Sequence, residues 1–159
     1  MRVALSCLTF LAWLLSACEK APQQQKPTDE FNRVVRNATP APNNFVHGTF
    51  KLPGYAKFEF EVPAHTLSPK IQGTFKSYVS GDPNQAAKVD LLLMTPKEFN
   101  DFRHGVSSEV GYSVPGSSGG TVDYALPATM DQPQKYYLVF RNLSKGKSKS
   151  VEADFTATF

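Results

Sequence analysis

Gly116-Ser117-Ser118-Gly119-Gly120 has the G-x-S-x-G spacing that turns a nucleophilic serine, here Ser118, out of a sharp strand-to-helix elbow. That chemistry needs a strand before the serine, a helix after it and a general-base histidine later in the chain. Pro115 precedes the motif, the strand-like Thr121-Val122-Asp123-Tyr124 follows it, and His47, His65 and His104 all lie upstream. A flexible Gly/Ser loop is therefore expected, with no nucleophile in it. Gly146-Lys147-Ser148 imitates the end of a phosphate-binding loop, but Arg141 stands where that loop requires its first glycine. The segment reads as a basic hairpin whose lysines discourage edge pairing, with contact to anionic lipid or polymer as the alternative. The three histidines have no H-x-H or H-x-x-x-H companion, which argues against zinc. Asp82, Asp90, Asp123, Asp131 and Asp154 do not form the D-x-D-x-D-G loop that holds calcium. No spacing sets two carboxylates across a cleft for acid–base work. No catalytic residue, metal or cofactor is expected, and the chain is read as a non-enzyme.

Binding is the remaining chemistry. A sugar-binding surface uses exposed aromatic faces and a few convergent polar groups. The only tryptophan, Trp13, falls in an N-terminal apolar run, so tyrosines must serve. Tyr78, Tyr112 and Tyr124 are the candidate ligand-binding residues. Tyr78 is the best placed, because it alternates out of register with Ile71, Phe75 and Val79.

The N-terminus says where the protein works. Arg2 is followed by an apolar run, Val3 to Leu15, interrupted by few polar residues, and Leu15-Ser16-Ala17-Cys18 closes it with small residues before a cysteine. The run is shorter than the ~20 apolar residues of a spanning helix and has the layout of a secretory signal. Leu15 to Cys18 resembles the lipobox of bacterial lipoproteins. That resemblance implies cleavage before Cys18, acylation (palmitate or another fatty acid) of Cys18, and a membrane partner reached through its lipid. Glu19 after the cysteine, rather than Asp, then implies the outer membrane, if the host has two. Removing the first 17 of 159 residues leaves 142, with 16 basic against 14 acidic side chains. Cys7 goes with the signal and Cys18 is consumed by lipid, so disulfides and thiol chemistry are excluded. The charges are dispersed, with no basic face for nucleic acid.

Residues 18–44 read as lipidated cysteine and tether, rich in Pro, Gln and Asn and too polar to bury a core. The tether reaches ~85–90 Å extended, and about 28 Å on average as a coil. From Phe45 the period becomes two, and residues 45–159 read as one domain. Phe58, Phe60 and Val62 share one face of a strand, as do Ile71, Gly73, Phe75, Ser77 and Val79. Val89 to Met94 is apolar almost throughout, as in a strand covered on both sides. Tyr136 to Phe140 is a β-forming run, and Val151, Ala153, Phe155, Ala157 and Phe159 alternate with polar residues to the end. Pro53-Gly54, Gly81-Asp82-Pro83, Pro115-Gly116 and Lys145-Gly146 are expected turns. Thr95-Pro96-Lys97-Glu98 combines an N-cap, a proline at N1 and a capping-box glutamate, and Gly105 suits C′ of a short crossover helix. Six or more short strands with turns between them predict an all-β fold, an antiparallel β-sandwich of jelly-roll or GOLD-like type.

Ile71-x-Gly73-x-Phe75, Leu91-Leu92-Leu93, Phe99 with Gly105, Tyr136 to Asn142 and Lys149-x-Val151-Glu152-Ala153-Asp154 together resemble the GOLD-like β-sandwich of uncharacterised prokaryotic exported proteins. In that pattern a Gly-rich loop and an acidic residue precede the third strand, where this chain has Lys88. The resemblance implies interaction or cargo recognition, with no catalytic residues to carry over. The expected function is a lipid-anchored, non-catalytic envelope lipoprotein whose sandwich binds a protein or envelope component. The alternative is a carbohydrate- or small-ligand-binding module on the same anchor. Clustered exposed apolar surface would favour the protein partner, and a concave polar groove with tyrosines the sugar.

Overall fold

A computed structural model describes residues 43–106, 110–144 and 148–159. The Leu15–Cys18 motif, the tether up to residue 42, and Lys145, Gly146 and Lys147 lie outside the described residues.

Alternation in the sequence becomes two-faced strands. In β2 (Tyr55–Val62), Ala56, Phe60 and Val62 are buried and Phe58 is half-buried, while Lys57, Glu59 and Glu61 face out. β9 (Lys149–Thr158) buries Val151, Ala153, Phe155 and Ala157 between exposed Glu152 and Asp154. β3 (Lys70–Val79) buries Ile71, Phe75 and Ser77. β1 (Asn44–Leu52), β4 (Asp82–Ala86) and β7 (Gly119–Ala125) complete the first sheet, in the order β1-β9-β3 with β4 and β7 both beside β3. The second sheet runs β2-β8-β5-β6, with β5 (Val89–Met94), β6 (Tyr112–Ser117) and β8 (Gln134–Arg141). All pairings are antiparallel. Without the short β4, the sheets read β1-β9-β3-β7 and β2-β8-β5-β6, which is a jelly roll. The sandwich is all-β with one short helix, as the alternation predicts.

Phe140 sits at the centre of the core, fully buried, with the rings of Phe50, Phe58, Phe75 and Phe155 at 5.4, 6.2, 5.7 and 6.1 Å. Each such ring contributes ~1.5–3 kcal/mol by burial, and tilted ring pairs add to it. Gly73 is a place of close approach. A Cβ there would lie 2.3 Å from the Asp154 carbonyl oxygen and 2.5 Å from the Phe155 ring, because Gly73 pairs directly with Phe155.

The helix, α1 (Pro96–Arg103), starts as its sequence predicts: Glu98 N–H donates to Thr95 Oγ1, and Thr95 N–H to Glu98 Oε2. It ends at His104, with Gly105 at φ 70°. It connects two neighbouring strands of the second sheet and folds back over that sheet's outer face. There Phe99 packs with Leu92, Met94 and Val139 in a small second core. Helix on one side and main core on the other explain why β5 is apolar throughout except for Asp90. Lys57 is less solvated than its exposed face suggests. Its ammonium lies 4.6 Å from the Tyr137 ring centroid and 5.3 Å from that of Phe99.

Three local expectations are corrected. Gly116 to Gly120 is a tight corner carrying the chain from β6 in one sheet to β7 in the other, not a flexible loop. Ser77 N–H donates to Ser118 O at 2.8 Å, Gly116 N–H to Asp90 Oδ1 at 2.8 Å, and Ser117 Oγ to Gly119 O at 2.7 Å. Pro115-Gly116 is part of β6 rather than a turn, tolerated because β6 is an edge strand and Pro115 is exposed. The turn expected at Gly81-Asp82-Pro83 is present but ends earlier: Ser80-Gly81 turns the chain, with Gly81 at φ 92°, and Asp82-Pro83 already opens the exposed edge strand β4.

Candidate functional site

Because strand residues alternate, the outward positions of β1, β9, β3 and β7 line up in rows across the first sheet. Cross-strand partners give one row of His47, Asp154, Thr74 and Thr121, and another of Thr49, Glu152 and Lys76. A third holds Thr156, Gln72 and Asp123, with Gln72 Nε2 donating to Asp123 Oδ2 at 3.0 Å. Between the first two rows lies an open groove of about 430 Å³, lined by His47, Gly48, Thr49, Thr74, Lys76, Glu152, Asp154 and the strand segments at Phe75 and Ala153. That volume falls in the ~300–1,000 Å³ range of small-ligand sites.

The groove's polar groups are positioned by their neighbours. Asp154 accepts from Asn44 Nδ2 at 2.7 Å on one oxygen and lies 2.9 Å from His47 Nδ1 with the other. Both side chains of that His–Asp pair stay about half exposed, so the pair is held in place yet accessible. Donating its amide to Asp154 leaves Asn44 Oδ1 buried with no hydrogen-bond partner, the one such side-chain atom among the described residues. Gly48 opens the β1 wall: at φ 119° it adopts a backbone that favours glycine, and a Cβ there would meet nothing within 4 Å. Across β9 and β3, Glu152 and Lys76 supply a further acceptor and donor. The groove thus presents acceptors (Asp154, Glu152), donors (Lys76, His47) and hydroxyls (Thr49, Thr74) within two strand-pair spacings.

The predicted tyrosines separate. Tyr78 is half-buried on the outer face of β3, one same-face step beyond Lys76 and opposite Ser150. Tyr112 and Tyr124 lie on the inner faces of β6 and β7, with ring centroids 4.5 Å apart, and Tyr124 O–H donates to Gly111 O at 3.0 Å. Their faces cover each other and the core, so they staple one edge of the sandwich rather than offering a platform. The sequence reading named Tyr78 but missed His47, Lys76, Glu152 and Asp154, which are spread over three strands and resemble any solvated strand face.

Ser118 and the histidines remain apart in their bonding. His104 Nδ1 lies 2.7 Å from Asn100 O, His65 occupies a left-handed turn at φ 58°, and His47 faces Asp154. Among the described residues, no three His, Cys, Asp or Glu side chains converge on a point that could hold a metal ion. At the far end of the sandwich a second polar cluster is structural. Asp90, almost fully buried, accepts Nε and Nη2 of Arg141 at 3.0 and 2.5 Å. Lys149 points inward there and donates to Lys88 O. Burial pushes its pKa below the usual lysine value, with nearby Asp90 pulling the other way. Burial also pushes the Tyr136 phenol up, helped by Tyr124 and Glu98.

No protein-family model matches this chain, and no curated protein matches it either. Among solved structures it is similar to TmCBM61 in complex with β-1,4-galactotriose, at 12% identity over 69% of this chain and 68% of that one, with a TM-score of 0.39. It is also similar to dimeric latent PorU from Porphyromonas gingivalis, at 12% identity over 74% of this chain and 11% of that one, with a TM-score of 0.38.

Proposed function

We propose that this chain is a lipid-anchored, non-catalytic envelope protein whose five-stranded sheet binds a glycan of the cell envelope in the groove between β1, β9 and β3. The observation that carries the reading is the pair of adjacent rows, His47, Asp154 and Thr74 beside Thr49, Glu152 and Lys76, in which Asn44 and His47 hold the Asp154 carboxylate. Sugar hydroxyls both donate and accept, so alternating carboxylate, ammonium and hydroxyl groups match them better than they match an apolar peptide. Two carboxylates against one lysine leave the groove no net positive charge, which favours a neutral or amino-sugar polymer over a phosphate- or uronate-rich one.

Two experiments test the parts separately. Cys18→Ser should move the protein from the membrane pellet to the soluble fraction; retention in high salt, with no acyl mass on the wild type, refutes the anchor. Calorimetry with neutral, amino and acidic oligosaccharides should give binding for the first two classes. Glu152→Gln and Lys76→Ala should each weaken it about tenfold, the ~1.4 kcal/mol scale of a charge-assisted hydrogen bond. Unchanged affinity in both variants removes the groove from the account.

A further inference from the structure

The most exposed large apolar side chains among the described residues are Leu67 (84%) and Met130 (75%), followed by Leu143 (57%), Val106 (56%) and Phe159 (48%). Leu67, Met130 and Phe159 sit at one end of the sandwich, and Leu143 sits at the other. Lys70, at the start of β3, pairs with Ala125 at the end of β7 and with Thr158 near the end of β9, while Val62 pairs with Gln134 in the other sheet. The loops 63–69 and 126–133 therefore both cross between the sheets here, beside the last residue of the chain.

These loops are held firmly. Thr66 N–H donates to Thr129 Oγ1 at 3.0 Å, Thr129 N–H to Thr66 O at 2.9 Å, and His65 N–H to Met130 O at 2.8 Å. Both threonine hydroxyls donate to Pro63 O. These bonds bring the exposed Leu67 and Met130 onto two neighbouring, ordered loops. Asp131 is the only Asp, Glu, Lys or Arg in the two loops. Lys88 lies in a loop at the opposite end.

The chain also enters the domain at this apolar end, since β1 starts at Asn44 opposite Thr156. The residues before it carry the Leu15–Cys18 motif. We propose that this end, through Leu67, Met130 and Phe159, rests against the lipid bilayer and sets the orientation of the groove above it. The proposal rests on the reading of Cys18 as acylated. If residues 18–44 behave as the coil their composition implies, ~28 Å on average, they would keep the entry end near the surface at an effective concentration in the ~millimolar range. Contact by the opposite end would require the tether to run the length of a ten-residue strand as well, ~33 Å. Side chains too few to bind a membrane alone are then enough to select which end faces it. The three β-strands of the groove would stand upright on the membrane, leaving their outer face open to a polymer alongside.

The test uses the full acylated chain in vesicles of phosphatidylethanolamine and phosphatidylglycerol. Met130→Cys and Leu143→Cys place one reactive thiol at each end, because Cys18 is occupied by lipid and Cys7 lies in the signal. With an environment-sensitive fluorophore on that thiol, spin-labelled lipids should quench the Met130→Cys label at least threefold more than the Leu143→Cys label. Equal quenching, or more at 143, overturns the inference, as does a blue shift at 130 without lipid quenching, which would mark a protein contact. Flotation of the same samples reports the anchor independently: protein that fails to float refutes the acylation reading itself. As a label-free check, amide exchange in 63–69 and 126–133 should slow several-fold in vesicles relative to detergent-free soluble Cys18→Ser protein. Unchanged exchange there in floated protein also overturns the inference.

Discussion

Gly73→Ala adds one methyl group and should be among the most damaging substitutions in the domain. Glycine in a strand interior is ordinarily a weakness, and replacing it by alanine gains ~0.4–1 kcal/mol from the unfolded chain when the site accepts a side chain. Here the new Cβ would fall 2.3 Å from a backbone oxygen of β9, and the Phe155 ring at 2.5–2.6 Å has no room to retreat because it is fully buried. Overpacking costs ~1–3 kcal/mol where side chains can adjust, and a backbone contact puts this site at the upper end. The net expectation is a loss of about 2–3 kcal/mol, or roughly 5–15 °C in Tm for a domain of this size. The same shift would separate β3 from β9, moving Thr74 and Lys76 away from Asp154 and Glu152, so groove binding should fall as well. Gly54→Ala is the control, since a Cβ at Gly54 meets nothing within 4 Å and its backbone is unstrained. Urea melts of the two variants check both. A Gly73→Ala protein within 0.5 kcal/mol of wild type would refute the register of β3 against β9 and the account of the groove built on it.

Phe140→Ala should cost ~3–5 kcal/mol, because four rings lose their common neighbour; Lys57→Ala should cost about 0.5–1 kcal/mol from its ring contacts, and denaturant melts that rank them the other way contradict the packing. Stability should rise with pH just below the ordinary lysine value of 10.5, because the folded state releases the Lys149 proton before the unfolded chain does. Tyr136 should contribute the opposite slope above its ordinary value of 10.0, because the folded state keeps that proton longer, so the two contributions oppose each other between 10.0 and 10.5. Lys149→Met should flatten the rise and Tyr136→Phe the fall; pH-dependent melts in which neither variant differs from wild type contradict both burials. Ser118→Ala should leave stability unchanged, and a fluorophosphonate probe should not label the wild-type domain; stoichiometric labelling lost in the variant would restore the nucleophile reading.

The elements whose sequence meets one local rule were legible in advance. β2 and β9 have uninterrupted alternation, β5 has a continuous apolar run, and α1 carries a complete capping box. The elements that escaped obey tertiary conditions instead. β6 contains Pro115-Gly116, a turn signal in isolation, and survives as a strand because only one of its edges is paired. β1 starts at Asn44, one residue earlier than the period-two region was expected to begin, and its register slips between Asn44 and Val46, which breaks the alternation. The groove was illegible for a related reason. Threonines, one histidine and three charges are what any solvated strand face carries, and only the sheet order β1-β9-β3 makes them neighbours. Tyr78 was visible because it broke a pattern within one strand; Asp154 was not, because its importance lies in Asn44 and His47, more than a hundred residues away.

The central claim is that the outer face of the five-stranded sheet is the binding surface. Titrating the isotope-labelled, non-acylated Cys18→Ser protein with a neutral oligosaccharide, followed by amide chemical shifts, tests it directly. Shifts should concentrate on Asn44, His47 to Thr49, Thr74 to Tyr78 and Glu152 to Asp154, and Glu152→Gln should need about ten times more sugar to reach the same shifts. Saturable shifts confined instead to α1 and the outer face of β2, β8 and β5 would contradict the account.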